Sequence, residues 1–187
     1  MKAIRKILIT GASGFVGGRA AEALQKAYEL LTPSRSELDV TSEEEIERYI
    51  QGTQPDAILH LAAISNTGYC EEHPEESYLV NVVSVENLAK AAAKHDIKLV
   101  WFSSDQIYNG NTGLGPLTED IAAAPENHYG RHKLLAERLV IADTERFPQH
   151  IRNISISMKK AHDASGGKIR FMSTLEGLED YLKNQGS

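Results

Sequence analysis

Two hydrophobic rhythms alternate along this chain. Short runs of consecutive apolar residues, such as Ile7-Leu8-Ile9 and Lys98-Leu99-Val100-Trp101-Phe102, read as strands buried on both faces. Ala57-Ile58-Leu59-His60-Leu61 reads the same way, and Glu29 to Pro33 gives a shorter strand stopped by proline. Between these runs the apolar residues recur at helical spacing. Arg19 to Tyr28 is predicted as a helix carrying Ala20, Leu24 and Ala27 on one side. Ser42 and Glu45 have capping-box spacing ahead of Ile46, Tyr49 and Ile50. Pro74 opens a long helix with Leu79, Val82, Val83 and Leu88 predicted inward. Tyr129 to Ile141 is predicted helical, with Leu134, Leu135 and Leu139 as core positions. A long loop separates Asp105 from Glu126, and Ile151 to Ile156 reads as a further strand. Strands and helices in this order predict an α/β fold. It is a doubly wound, mostly parallel, Rossmann-like sheet in three αβα layers. Right-handed crossovers then gather the loops that follow the strands at one edge, where such sheets bind ligands.

The first of those loops carries the strongest chemical signal. Thr10-Gly11-Ala12-Ser13-Gly14-Phe15-Val16-Gly17 follows a strand and enters an Ala-rich helix. Gly11 permits a tight turn, Gly14 lets a pyrophosphate approach the backbone, and Gly17 allows close packing of helix on strand. The helix start then offers free N–H groups and partial positive charge to phosphate. Gly11, Ser13, Gly14, Phe15, Val16 and Gly17 are therefore predicted to bind a dinucleotide, although a purely structural turn has the same glycines. After the second strand comes Ser34-Arg35-Ser36. Arg35 suits a ribose 2′-phosphate, which predicts NADP(H). Glu37 lies near enough to keep NAD(H) open.

Tyr129 and Lys133 are four residues apart and share one helix face. An ammonium beside a phenol favours phenolate, so Lys133 is expected to lower the Tyr129 pKa. A phenol tuned this way can pass a proton to a carbonyl oxygen as hydride reaches the carbon. Ser104, just beyond a strand on the same edge, can hydrogen-bond that oxygen. Such a Tyr–Lys spacing also arises by chance in many helices, and the glycine turn and Ser104 are what give it weight.

Composition narrows the partners. The 187 residues suit one domain with a real core. A net charge of −6 argues against nucleic acid or an anionic membrane as partner. No apolar run is long enough to span a bilayer, and the basic start lacks a signal-peptide core. The single cysteine, Cys70, forms no internal disulfide and fits a reducing, cytoplasmic setting. His128 and His132 read as solvated, and Cys70 with His73 cannot close a zinc shell.

Taken in order, these pieces resemble the extended short-chain dehydrogenase/reductase superfamily, and within it the dTDP-4-dehydrorhamnose reductase branch. That branch also includes a non-catalytic regulatory subunit of methionine adenosyltransferase. The matching segments are Thr10 to Gly17, Leu38-Asp39-Val40-Thr41, His60-Leu61-Ala62-Ala63, Asn81-Val82, Phe102 through Gly110 and Tyr129 to Lys133. The resemblance implies that Asp39 and Val40 contact adenine. Leu61, Ala62, Ala63 and Ser103 would join the cofactor site, with Asn81 holding its loop. Ser104, Tyr129 and Lys133 would be the catalytic set, Lys133 also bonding the nicotinamide ribose. It implies an NADP(H)-dependent reductase of a nucleotide-linked 4-keto sugar. A sugar-nucleotide epimerase or dehydratase, or a dinucleotide-binding regulatory module without turnover, remains the alternative. Residues 1–158 would form the dinucleotide-binding domain and 159–187 a shortened remnant of the substrate-binding region. Helices at 75–94 and 127–142 would form a four-helix homodimer seam.

Overall fold

The computed structural model describes residues 3–111 and 121–146. Four strands, β1 (Lys6–Thr10), β2 (Glu29–Leu31), β3 (Ala57–His60) and β4 (Lys98–Trp101), form one sheet in the order β2-β1-β3-β4. Every pairing is parallel. Each strand is short because its apolar run is short, and β1, β3 and β4 are buried on both faces, as parallel strands require. Alternate side chains point to opposite layers. Ile7, Ile9, Ala57, Leu59 and Val100 pack with Ala20 and Leu24 of α1 (Phe15–Leu24). Leu8, Ile58 and Leu99 face the other way, onto α2 (Glu43–Thr53) and α5 (Ser84–His95). The remaining helical pieces are α3 (Thr67–Glu72), α4 (Pro74–Tyr78), a π-helical segment (Leu79–Val83), a 3₁₀ turn (Asp105–Tyr108) and α6 (His128–Arg146). This is the predicted three-layer Rossmann-like fold.

Several local expectations are corrected. The first helix starts at Phe15 rather than Arg19 and ends at Leu24, so Ala27 lies exposed beyond it. Ser42 caps α2 by accepting from Glu45 N at 3.3 Å, but the Glu45 carboxylate turns to Asp39 N instead of closing the box. The long helix after Pro74 is interrupted by the π segment, which shifts the phase of its faces. Val82 and Leu88 stay buried while Leu79 is 48% exposed. On α6 the core face is His132, Lys133, Ala136 and Val140, not the leucines. Leu134 and Leu139 are half-buried and Leu135 is 38% exposed. The strand at 151–156, the segment beyond 158 and the domain boundary there lie outside the described residues.

Candidate functional site

The carboxyl ends of β1, β3 and β4 stand in register as a row, Thr10 beside His60 beside Trp101. The loops leaving these three residues build one crevice at a topological switch point, where β1 is flanked by β2 and β3. A cleft of about 430 Å³ opens there. Of the residues predicted for a cofactor, Gly11, Ser13, Gly14, Arg35, Asp39, Val40, Leu61, Ala62 and Ala63 line it.

The glycine turn is fixed by backbone contacts. Gly11 has φ +74°, and a Cβ there would sit 2.5 Å from Ala62 N. At Gly17 a Cβ would lie 2.1 Å from Gly11 O. Gly17 is therefore buried under the turn rather than facing the cleft. Phe15 and Val16 point out to solvent, Phe15 being 80% exposed with the Arg19 guanidinium 5.0 Å from its ring. No side chain caps α1, and its first turn holds no acid. The start of α1, beside the cleft-lining Gly14, thus carries no capping side chain and no acid in its first turn, which fits a pyrophosphate.

Around the far wall the carboxylates are already engaged. Asp39 accepts from Thr41 N at 2.9 Å and Thr41 Oγ1 at 2.7 Å, which lowers its pKa from the ordinary value. Glu37 accepts from Ser34 N at 2.8 Å and Ser34 Oγ at 2.7 Å, and is lowered by the same kind of bonds. Arg35 and Ser34 remain on the cleft wall.

Asn81 is expected to hold the cofactor loop. It does not line the cleft but sits behind it, 2% exposed. Its Oδ1 accepts from Ile64 N at 3.0 Å and its Nδ2 donates to Ile64 O at 2.9 Å, holding the loop after β3. Ser103 is also drawn away, donating to Glu137 at 2.8 Å.

Ser104 starts the 3₁₀ turn, accepting from Gln106 N at 3.2 Å and donating to Asp105 Oδ1 at 3.2 Å, close to the Tyr129 phenol. Tyr129 and Lys133 do share the face of α6 that meets the sheet edge. Lys133 is 4% exposed, donates to Phe102 O and holds its ammonium 3.9 Å from the Trp101 ring centroid. Burial pulls its pKa from 10.5 down to about 7, with Glu137 opposing. The expected lowering of the Tyr129 pKa is not seen. Burial raises it, the Ser104 hydrogen bond opposes, and Lys133 is not among the groups that shift it. The Lys133 amine is turned to Phe102 O and the Trp101 ring instead. The phenol is consequently held protonated at neutral pH, the form a proton donor needs.

Two polar relays escaped the sequence reading. In the first, Ser84 donates to Val80 O, so it must accept from His60 Nε2, 3.1 Å away. His60 Nδ1 then takes the Thr10 hydroxyl hydrogen at 2.6 Å. Complete burial, then the charge on Lys133, lowers the His60 pKa to about 3 and keeps the ring neutral. The second joins Asn81 to Ser77 and His132, and it overturns the expectation of a solvated His132. Its signal was present in the sequence as Ser77, Asn81 and Ser84, polar residues recurring at helical spacing within an apolar face.

A parallel sheet wrapped by helices, with a glycine turn crossing its carboxyl edge, defines a Rossmann-type nucleotide-binding domain of the extended short-chain dehydrogenase/reductase superfamily. Within it, the chain belongs to the family described as the RmlD substrate binding domain, whose model matches residues 5–151. It is 34% identical over 139 residues to a dTDP-4-dehydrorhamnose reductase of Mycolicibacterium smegmatis, covering 74% of this chain and 42% of that protein. It is also 34% identical over 149 residues to the methionine adenosyltransferase 2 subunit beta of Xenopus laevis, covering 75% of this chain and 44% of that one. The chain thus spans less than half the length of these relatives. Among solved structures, the dTDP-4-dehydrorhamnose reductase of Bacillus anthracis in complex with NADP superposes with a TM-score of 0.69 at 28% identity, covering 74% of this chain and 50% of that one.

Proposed function

We propose that the chain binds NADP(H) in the cleft and serves as the dinucleotide-binding part of a reductase acting on a nucleotide-linked 4-keto sugar. The observation that carries this reading is the convergence on one crevice of the glycine turn, Arg35 and the loop after β3. The residues fit the coenzyme: uncapped amides of α1 suit its pyrophosphate, and Arg35 with Ser34 suits a 2′-phosphate. Arg35 on the cleft wall is what favours NADP(H) over NAD(H) in this reading, while Asp39, bonded to Thr41 through Oδ1, lines the same cleft. A bound reduced nicotinamide supplies the hydride. Tyr129 gives its proton to the carbonyl oxygen, Ser104 supports that oxygen by hydrogen bonding, and Lys133 lies one turn further along α6 with its amine on Phe102 O.

Titration calorimetry with NADPH and NADH, followed by Tyr129→Phe, tests the reading. NADPH should bind more tightly, and the variant should keep that affinity while losing reduction of a 4-keto sugar nucleotide by the full-length protein. Equal binding of NADH, or none of either, refutes it. The similarity to a methionine adenosyltransferase subunit favours a second reading, in which the same cleft binds dinucleotide within a regulatory assembly without turnover. Self-association also belongs to the proposal. Tyr78, Leu79 and Leu135 leave apolar surface exposed on α4, the π segment and α6, a face suited to a second copy. The lone buried thiol of Cys70 suits a reducing compartment.

A further inference from the structure

Behind the cleft wall, α3, α4, the π segment and α6 meet around His132. The ring is 8% exposed, and its Nδ1 lies 2.9 Å from Ser77 Oγ. Asn81 Nδ2 donates to that same oxygen at 3.1 Å. Ser77 owns one hydroxyl hydrogen, and His132 Nδ1 is the acceptor it faces, so Nδ1 carries a lone pair and the ring is the Nε2–H tautomer. Asn81 has no freedom to flip, because its Oδ1 takes Ile64 N–H while both Nδ2 hydrogens are used, on Ile64 O and Ser77. Each bond in the series therefore has a fixed direction. At one end stands Ile64, on the cleft wall. At the other stands α6, with Tyr129 one turn before His132 and Lys133 immediately after it.

A histidine that merely fills space would need none of this. The ring does pack, edge-on to Tyr78 with centroids 5.6 Å apart and beside His128 at 5.7 Å. Phenylalanine would serve those contacts equally well. What phenylalanine lacks is the acceptor, and its absence would take from the buried Ser77 hydroxyl hydrogen the acceptor it faces. Burial and the nearby His128 and Arg131 hold the ring pKa below its ordinary value against the pull of Glu71 on α3, so the lone pair persists at neutral pH.

We propose that His132 is a positioning residue: by accepting the Ser77 hydroxyl it ties the helix of Tyr129 and Lys133 to the Ile64 wall, holding phenol and dinucleotide in one frame. The proposal rests on the dinucleotide reading of the cleft. Its test compares His132→Phe, which keeps the ring, with His132→Asn, which keeps an acceptor near the Nδ1 position. In His132→Phe the Ile64 amide should exchange about tenfold faster than in wild type while Leu8 in the central strand is unchanged. NADPH affinity should fall about threefold or more. His132→Asn should restore both. An unchanged Ile64 in folded His132→Phe, or equal damage in the two variants, overturns the proposal. Should the variants fail to fold, nitrogen NMR of the wild type decides, because a protonated Nδ1 at neutral pH is incompatible with the relay. Wild type that binds no NADPH would refute the dinucleotide reading, whereas the exchange result would still judge the relay.

Discussion

Lys133→Met should make this protein more stable. The lysine ammonium is 4% exposed and its pKa falls from 10.5 to about 7 through burial. At roughly 1.4 kcal/mol per pH unit, holding that charge inside the fold costs up to about 5 kcal/mol at low pH. Methionine has similar length and no charge. It forfeits the bond to Phe102 O and the contact with the Trp101 ring, together worth about 2 kcal/mol. A net gain of about 3 kcal/mol is expected at pH 6. The sign with pH follows from proton uptake. Above pH 7 the folded lysine is neutral while the unfolded one stays charged to 10.5, so wild-type stability rises with pH across that window. The advantage of the variant should therefore shrink between pH 6 and 9. Urea unfolding of both proteins at several pH values measures it. A variant less stable than wild type at pH 6, or an advantage that does not change with pH, would refute the reasoning.

Four further outcomes are expected. Gly17→Ala drives a Cβ to 2.1 Å from Gly11 O, backbone against backbone, and should cost about 3 kcal/mol in urea unfolding. Gly14→Ala meets only Gly11 O at 3.2 Å and should cost under about 1 kcal/mol, yet weaken NADPH binding about tenfold because it faces the cleft; unaltered calorimetry would count against the cleft. His60, with a folded pKa of about 3 against 6.5 unfolded, resists the proton that the unfolded chain takes up, so stability should be lost as pH falls from 6.5 toward 3, and His60→Gln should flatten that slope in acid-unfolding curves. Leu79→Glu with Leu135→Glu should leave a monomer by sedimentation if that face joins two copies, and an unchanged mass would remove the dimer proposal.

The sequence made the sheet and its binding edge legible because apolar runs and glycines are local signals. Ile7 to Ile9 can be buried on both faces only in a covered sheet, and Gly11 and Gly17 announce a backbone approach so close that a Cβ on Gly17 would lie 2.1 Å from Gly11 O. The helices were less readable where tertiary contacts set their phase. The π segment carries Asn81, which grips Ile64 seventeen residues away, and periodicity alone continues straight through it. On α6 the leucines were the natural core guess, but the buried stripe is held by His132 and Lys133, whose burial is made tolerable by Ser77, Phe102 O and the Trp101 ring. The direction of the Tyr129 shift was hidden for a related reason. Spacing shows that two side chains share a face, and not which of their neighbours absorbs the charge.

Cys70 has its own consequence. Its sulfur is fully enclosed and donates to Ile64 O at 3.4 Å, on the inner side of α3. A disulfide reagent cannot meet that atom until the short helix lifts away. The rate at which the unmodified chain is labelled therefore clocks the breathing of this flank, and anything that clamps Ile64 from the opposite side should slow the clock.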